Sequence, residues 1–143
     1  MTPTLPQLLM GNFLCMIDPP PPEAVGEFMA GRVGVCAMIS LLAAQEAERG
    51  TEARLWENSA IRAVLSKSAI DYGQRFRDAS KGHDSDFGLT ALDKVNAALR
   101  RHLIALHELA ENRGDTKLHQ EIIALYVKMA EARRLDLPPL PGG

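Results

Sequence analysis

Leu92, Val95, Leu99, His102, Leu106 and Leu109 stand alternately three and four residues apart, and Leu118, Ile122, Leu125, Met129 and Ala132 repeat that spacing after Gly114. Side chains at such intervals share one side of an α-helix and have no common face on a strand. Arg113-Gly114-Asp115 leaves room only for a turn between the two patterns, so two helices folded back on each other are predicted. Gly114 suits a helix C-cap and Asp115 the next N-cap, which accounts for this tripeptide without an adhesion role. No segment alternates strictly between apolar and polar residues. The predicted fold class is all-α: an antiparallel helical bundle of four longer helices plus a short N-terminal helix.

The earlier elements follow from punctuation as much as periodicity. Thr4-Leu5-Pro6-Gln7 reads as a capping box, and Leu5, Leu8, Leu9, Phe13 and Met16 recur at helical spacing, which predicts the short first helix. Asp18 and the prolines 19–22 cannot continue it, because proline lacks the N–H donor and pushes its predecessor into extended geometry; a stiff polyproline spacer is expected there. A second helix is predicted over residues 23–49, apolar nearly all round its middle and therefore expected to be the most enclosed. Gly50 is read as its stop, and a third helix over 52–79 as its antiparallel mate, with Glu57 and Arg75 intruding on an otherwise apolar side. Residues 80–89 form a Gly-, Ser- and Asp-rich loop, and Thr90-Ala91-Leu92-Asp93 a variant capping box for the fourth helix.

With 143 residues the chain has the length of one domain, 1–143, in which 1–22 form the short helix and spacer and 135–143 a flexible tail. Only 5% of residues are aromatic, so the core must be built from Leu, Ile, Val, Ala and Met. A net charge of −2 gives no long-range attraction for polyanions; a nucleic-acid surface would need Arg62, Lys67, Arg75, Arg100 and Arg101 on one face, and no nucleic-acid partner is expected. No Lys or Arg precedes Arg32, which disfavours a signal peptide, and the uncharged run 33–44 is shorter than the roughly 20 apolar residues of a membrane span. Cys15 and Cys36 are read as buried free thiols. A cytoplasmic protein without a membrane partner is the expectation.

Gly26, Ala30 and Gly34 lie four apart, with Met38 completing the row, and strip one side of the second helix of bulk. Each glycine inside a helix costs roughly 1 kcal/mol against alanine, so the row calls for the close approach of another helix. That helix can belong to the same chain or to a two-fold mate. His107, Glu111 and His119 can converge across the Gly114 turn, and imidazole with carboxylate is a ligand set for zinc or iron. Solvated edge residues sharing hydrogen bonds account for the same spacing. His102 is read as a buried neutral histidine on the fourth helix's seam. His83 with Asp84 and Asp86 offers a weaker metal or proton-transfer site, the methionines near both cysteines a soft-metal one, and Pro138 with Pro141 a polyproline ligand. No nucleophile-base pair or phosphate-cradling loop stands out, and no cofactor is expected. The function predicted is a non-catalytic interaction or regulatory protein acting as a homodimer through Gly26, Ala30, Gly34 and Met38. The alternative is a metal- or small-molecule-binding bundle using His107, Glu111 and His119.

Overall fold

The computed structural model describes residues 5–18 and 21–137. Every regular element among them is a helix: α1 (Leu5–Met16), α2 (Pro22–Val25), α3 (Glu27–Tyr72), α4 (Gln74–Ser80), α5 (Leu89–Asn112) and α6 (Thr116–Ala132). The protein is all-α. Thr4 of the first capping box, Pro19 and Pro20 of the spacer and the 138–141 motif lie outside the described residues. Pro21 has the extended geometry of a polyproline residue, and Pro22 opens α2.

The predicted hairpin at Gly50 is corrected, since α3 runs through it as one helix of 46 residues. A glycine stops a helix by turning left-handed. Gly50 does not, whereas Gly26, Gly73, Gly82 and Gly114 do. Residues on both sides of Gly50 are mostly Ala, Glu, Gln, Arg and Leu, whose propensity carries the helix across a single unfavourable position. The breaks fall at Gly26 (φ 78°), between α2 and α3, and at Gly73 (φ 108°), which severs α4 from the predicted 52–79 helix. The capping box at Thr90 is also corrected. Gly88 is the N-cap of α5 and no side chain caps it, while Asp93 is engaged by Arg54 instead.

Where the length suggests one domain, packing groups the chain into two compact units. One comprises Thr51–Arg134. Ile61, Leu65, Phe76, Leu103, Leu106 and Ile122 are wholly buried there, with Leu99, Ala110, Leu118, Leu125 and Met129 around them. On α6 the buried set is Leu118, Ile122, Leu125 and Met129, as its spacing predicts. On α5 the ladder is shifted by one residue at alternate steps: Leu92, Asn96, Leu99, Leu103, Leu106 and Ala110 are buried. Asn96 is claimed by polar partners on α3 and Leu103 fills the seam. His102, expected inside, is therefore exposed.

The other unit comprises the described residues up to Gly50 with 135–137. Its core is small: Phe13 of α1 with Ala37 and Leu41 of α3, and Met16 beside them. The Asn12 amide donates to Ser40 Oγ at 2.7 Å, and Ser40 Oγ to the Cys36 carbonyl at 2.9 Å. Residues 135–137, expected to be flexible, are held at Asp136, whose backbone N–H and C=O both bond the Gln45 side chain at 2.7 Å. The expectation that the 23–49 segment is the most enclosed is overturned. Phe28, Val35 and Ile39 are 76%, 60% and 59% exposed. Because this segment is apolar nearly all round, α1 covers one side of it and leaves another bare.

Candidate functional site

The α5–α6 turn is built to be rigid. Gly114 takes a left-handed φ of 66° that a side chain would resist, and the Asp115 carboxylate accepts the Leu118 N–H at 3.0 Å as the N-cap of α6. Tyr72, the last residue of α3, donates its hydroxyl to the other Asp115 oxygen at 2.8 Å. Arg113 lays its guanidinium 4.4 Å from the centre of the Tyr72 ring and donates to the Asp71 carbonyl at 2.9 Å. The Leu118 N–H and the Tyr72 hydroxyl together hold the Asp115 carboxyl below its ordinary pKa. Loss of water, then the hydrogen bond to Asp115 and its charge, push the Tyr72 hydroxyl above its own.

That turn brings the three residues singled out by spacing together. His107 Nε2 and His119 Nδ1 are 3.0 Å apart, with Glu111 Oε1 at 3.9 Å from the first and 3.6 Å from the second. The two rings are tilted by 36° with centroids 4.9 Å apart. Tyr126 stands against His107 with centroids 5.7 Å apart, and its own hydroxyl is shifted upward by burial. The side chains of His107, His119 and Glu111 are 15%, 40% and 56% exposed, so the cluster is walled on the His107 side and open at the carboxylate.

A second constellation in the same unit was not foreseen. Glu57, flagged in the sequence only as an intruder on an apolar side, is wholly buried. Its two oxygens accept Arg133 Nε at 2.6 Å and Nη2 at 2.7 Å, a bidentate pair, and the Asn96 amide donates to it at 2.9 Å. Asn96 also donates to buried Asn58 at 3.0 Å. Asn58 donates in turn to Asp84, which receives both terminal nitrogens of Arg62. Arg54 grips Asp93 at 2.7 and 3.2 Å. Three guanidinium groups and three carboxylates cancel, so the layer is neutral. Arg62 and Arg54 hold the Asp84 and Asp93 carboxyls below their ordinary pKa, and Glu57 strengthens the charge of Arg133. A charged residue on an apolar helical side, plus an asparagine adjoining the ladder, was the available signal.

The remaining sequence candidates scatter. Gly26 lies outside α3, in a left-handed conformation, while Ala30, Gly34 and Met38 are half-buried on it. A Cβ added at Gly34 would meet nothing within 4 Å. Cys15 and Cys36 are exposed free thiols, not buried ones, because the sides of α1 and α3 that carry them are bare. Asp84 is consumed by Arg62, so the loop trio with His83 and Asp86 does not assemble as a site. Of the basic residues, Arg62 pairs with Asp84 and Lys67 with Glu121. Among the described residues, α3 alone is long and apolar enough to cross a membrane, and 22% of its most apolar 18-residue window is buried. Comparison with protein-family models, curated proteins and solved structures finds no match to this chain.

Proposed function

We propose that this is a non-catalytic interaction protein that works as a homodimer, with the bare side of the N-terminal half of α3 as its contact surface. One observation carries the reading. Phe28, Val35 and Ile39 are largely exposed and stand seven and four residues apart, so they lie along one side of the helix as an apolar stripe that only Arg32 interrupts. The Arg32 guanidinium is 5.7 Å from the centre of the Phe28 ring. Ala30, Gly34 and Met38 lie about a third of a turn round the same helix and, having little bulk at two of the three positions, border the stripe without obstructing an approaching helix. Gly26, outside the helix, drops out of the predicted row. Two copies meeting through this surface would complete a four-helix arrangement of α1 and α3 with their mates. The exposed free thiols suit a reducing cytoplasm.

Lipid is the competing cover for the same stripe, favoured by the apolar window in α3. That 18-residue window would span about 27 Å at 1.5 Å per residue, near a hydrocarbon core of about 30 Å, but the wholly uncharged run 33–44 spans only about 18 Å. Arg32 and Glu46 bound it on either side. A protein mate requires no such length.

Native mass spectrometry of the full chain in detergent-free buffer tests the proposal. The mass of two chains is expected, falling to that of one in Val35→Asp and Ile39→Asp, with helical circular dichroism unchanged because both side chains are outside the unit's core. A one-chain mass for the wild type, or recovery only from lipid vesicles or detergent, would refute it.

A further inference from the structure

We infer that His107, Glu111 and His119 form a binding site for a first-row divalent metal ion, with Zn2+ as the reference ion. The inference is independent of the dimer and rests on the other unit. Three ligand atoms of the right kind, two imidazole nitrogens and a carboxylate oxygen, lie within 4.8 Å of one another. Metal bonds of about 2.0–2.2 Å at tetrahedral angles separate neighbouring ligand atoms by roughly 3.3–3.5 Å. The observed separations of 3.0, 3.6 and 3.9 Å bracket that interval, so small side-chain adjustments bring all three into one coordination shell.

The supporting structure is already in place. His107 and Glu111 are one turn apart on α5, and His119 follows the Asp115 N-cap by four residues, so the Asp115, Tyr72 and Arg113 contacts fix both halves of the ligand set. Tyr126 braces the His107 ring from the side. Without metal, the two imidazoles share a hydrogen bond, which one ring must donate. Loading requires both inward nitrogens to be bare. The donor ring does this as a neutral tautomer that carries its proton on the outward nitrogen, which costs no net charge. Nitrogen donors with one carboxylate select zinc and its neighbours over calcium or magnesium. Because only three protein ligands converge and Glu111 faces solvent, at least one coordination position is left for water or an exchangeable ligand.

Equilibrium dialysis of the full, chelator-stripped chain against Zn2+ tests this, with bound metal measured by elemental mass spectrometry. One equivalent per chain is expected. His107→Ala and His119→Ala each weaken binding by at least about 100-fold, since losing a mere outer partner of a ligand costs about 10–100-fold. His83→Ala and His102→Ala bind as the wild type does. A measurement without substitutions guards against misfolded variants: Zn2+ shifts the ring-proton resonances of His107 and His119 and leaves those of His83 and His102 in place. A wild-type chain retaining no Zn2+, resonance shifts centred on His83 or His102, or a folded His119→Ala variant with wild-type affinity would overturn it.

Discussion

The unit spanning Thr51–Arg134 and the unit ending at Gly50 are both made of apolar helical sequence, yet only the first is closed. In Thr51–Arg134 the wholly buried residues come from α3, α4, α5 and α6, and even its buried charges are matched by opposite ones. In the other unit α1 contributes one buried residue, Phe13, and α3 shows Phe28, Val35 and Ile39 to solvent. A helix with a narrow apolar stripe is satisfied by the neighbours it folds with, whereas one that is apolar nearly all round needs more partners than this unit has. Abundance of apolar residues is therefore a poor guide to burial; the angular width of the apolar face decides it.

The most severe way to break that contrast is to unbalance the closed unit's polar layer. Glu57→Ala leaves Arg133 without its bidentate partner and Asn96 with Asn58 as its one remaining acceptor in this layer. The expected loss is about 3–5 kcal/mol, measured by urea denaturation of the full chain. A loss below about 1 kcal/mol would mean the layer is incidental to closure.

Acid should expose the same layer by a gentler route. The carboxyls held low, Asp78, Asp84, Asp93 and Asp115, all belong to Thr51–Arg134. Their ordinary value is 3.8, and in the fold each stays charged at pH values where the unfolded chain binds protons. Stability from Asp84 and Asp93 is thus fully present above 3.8 and is lost as pH falls from there through their lowered values. Denaturation midpoints that are level between neutral pH and about pH 5, then fall steeply towards about pH 3, would fit. A decline that is already under way at pH 6 would deny these carboxyls that role.

How much of this was legible depended on whether a signal was local. The all-α class, the α5–α6 turn and the convergence of His107, Glu111 and His119 follow from spacing about one glycine, and the structure places them together. The α6 ladder was legible for the same reason. The α5 ladder was not, because Asn96 enters the interior only through partners 38 and 39 residues away on α3, and that recruitment moves His102 outward. Gly50 misled because composition cannot report φ: a glycine between good helix formers is a stop only if the chain turns there. Asp115→Ala tests the legible part. Losing the cap should cost about 1 kcal/mol, and the Tyr72 hydroxyl loses its acceptor as well. Thermal unfolding measures it, and an unchanged midpoint would deny that the turn is pinned.

Two glycines, one in each unit, carry opposite expectations, and here the sign matters more than the size. At Gly73 the backbone is left-handed, so a Cβ is strained whatever space surrounds it, and Gly73→Ala should destabilise by roughly 1–2 kcal/mol. Gly34 has ordinary helical geometry and open space where a Cβ would sit, so Gly34→Ala should stabilise the isolated chain by up to about 1 kcal/mol through helix propensity. In a dimer whose mate approaches closely over Ala30 and Gly34, the added methyl would oppose association. Unfolding followed as protein concentration rises separates the cases: a gain that persists at every concentration leaves Gly34 at an open border, while a gain that shrinks or reverses places it under the mate. The same substitution thus reports, through its concentration dependence, whether a second copy of the chain comes to lie over Gly34 itself.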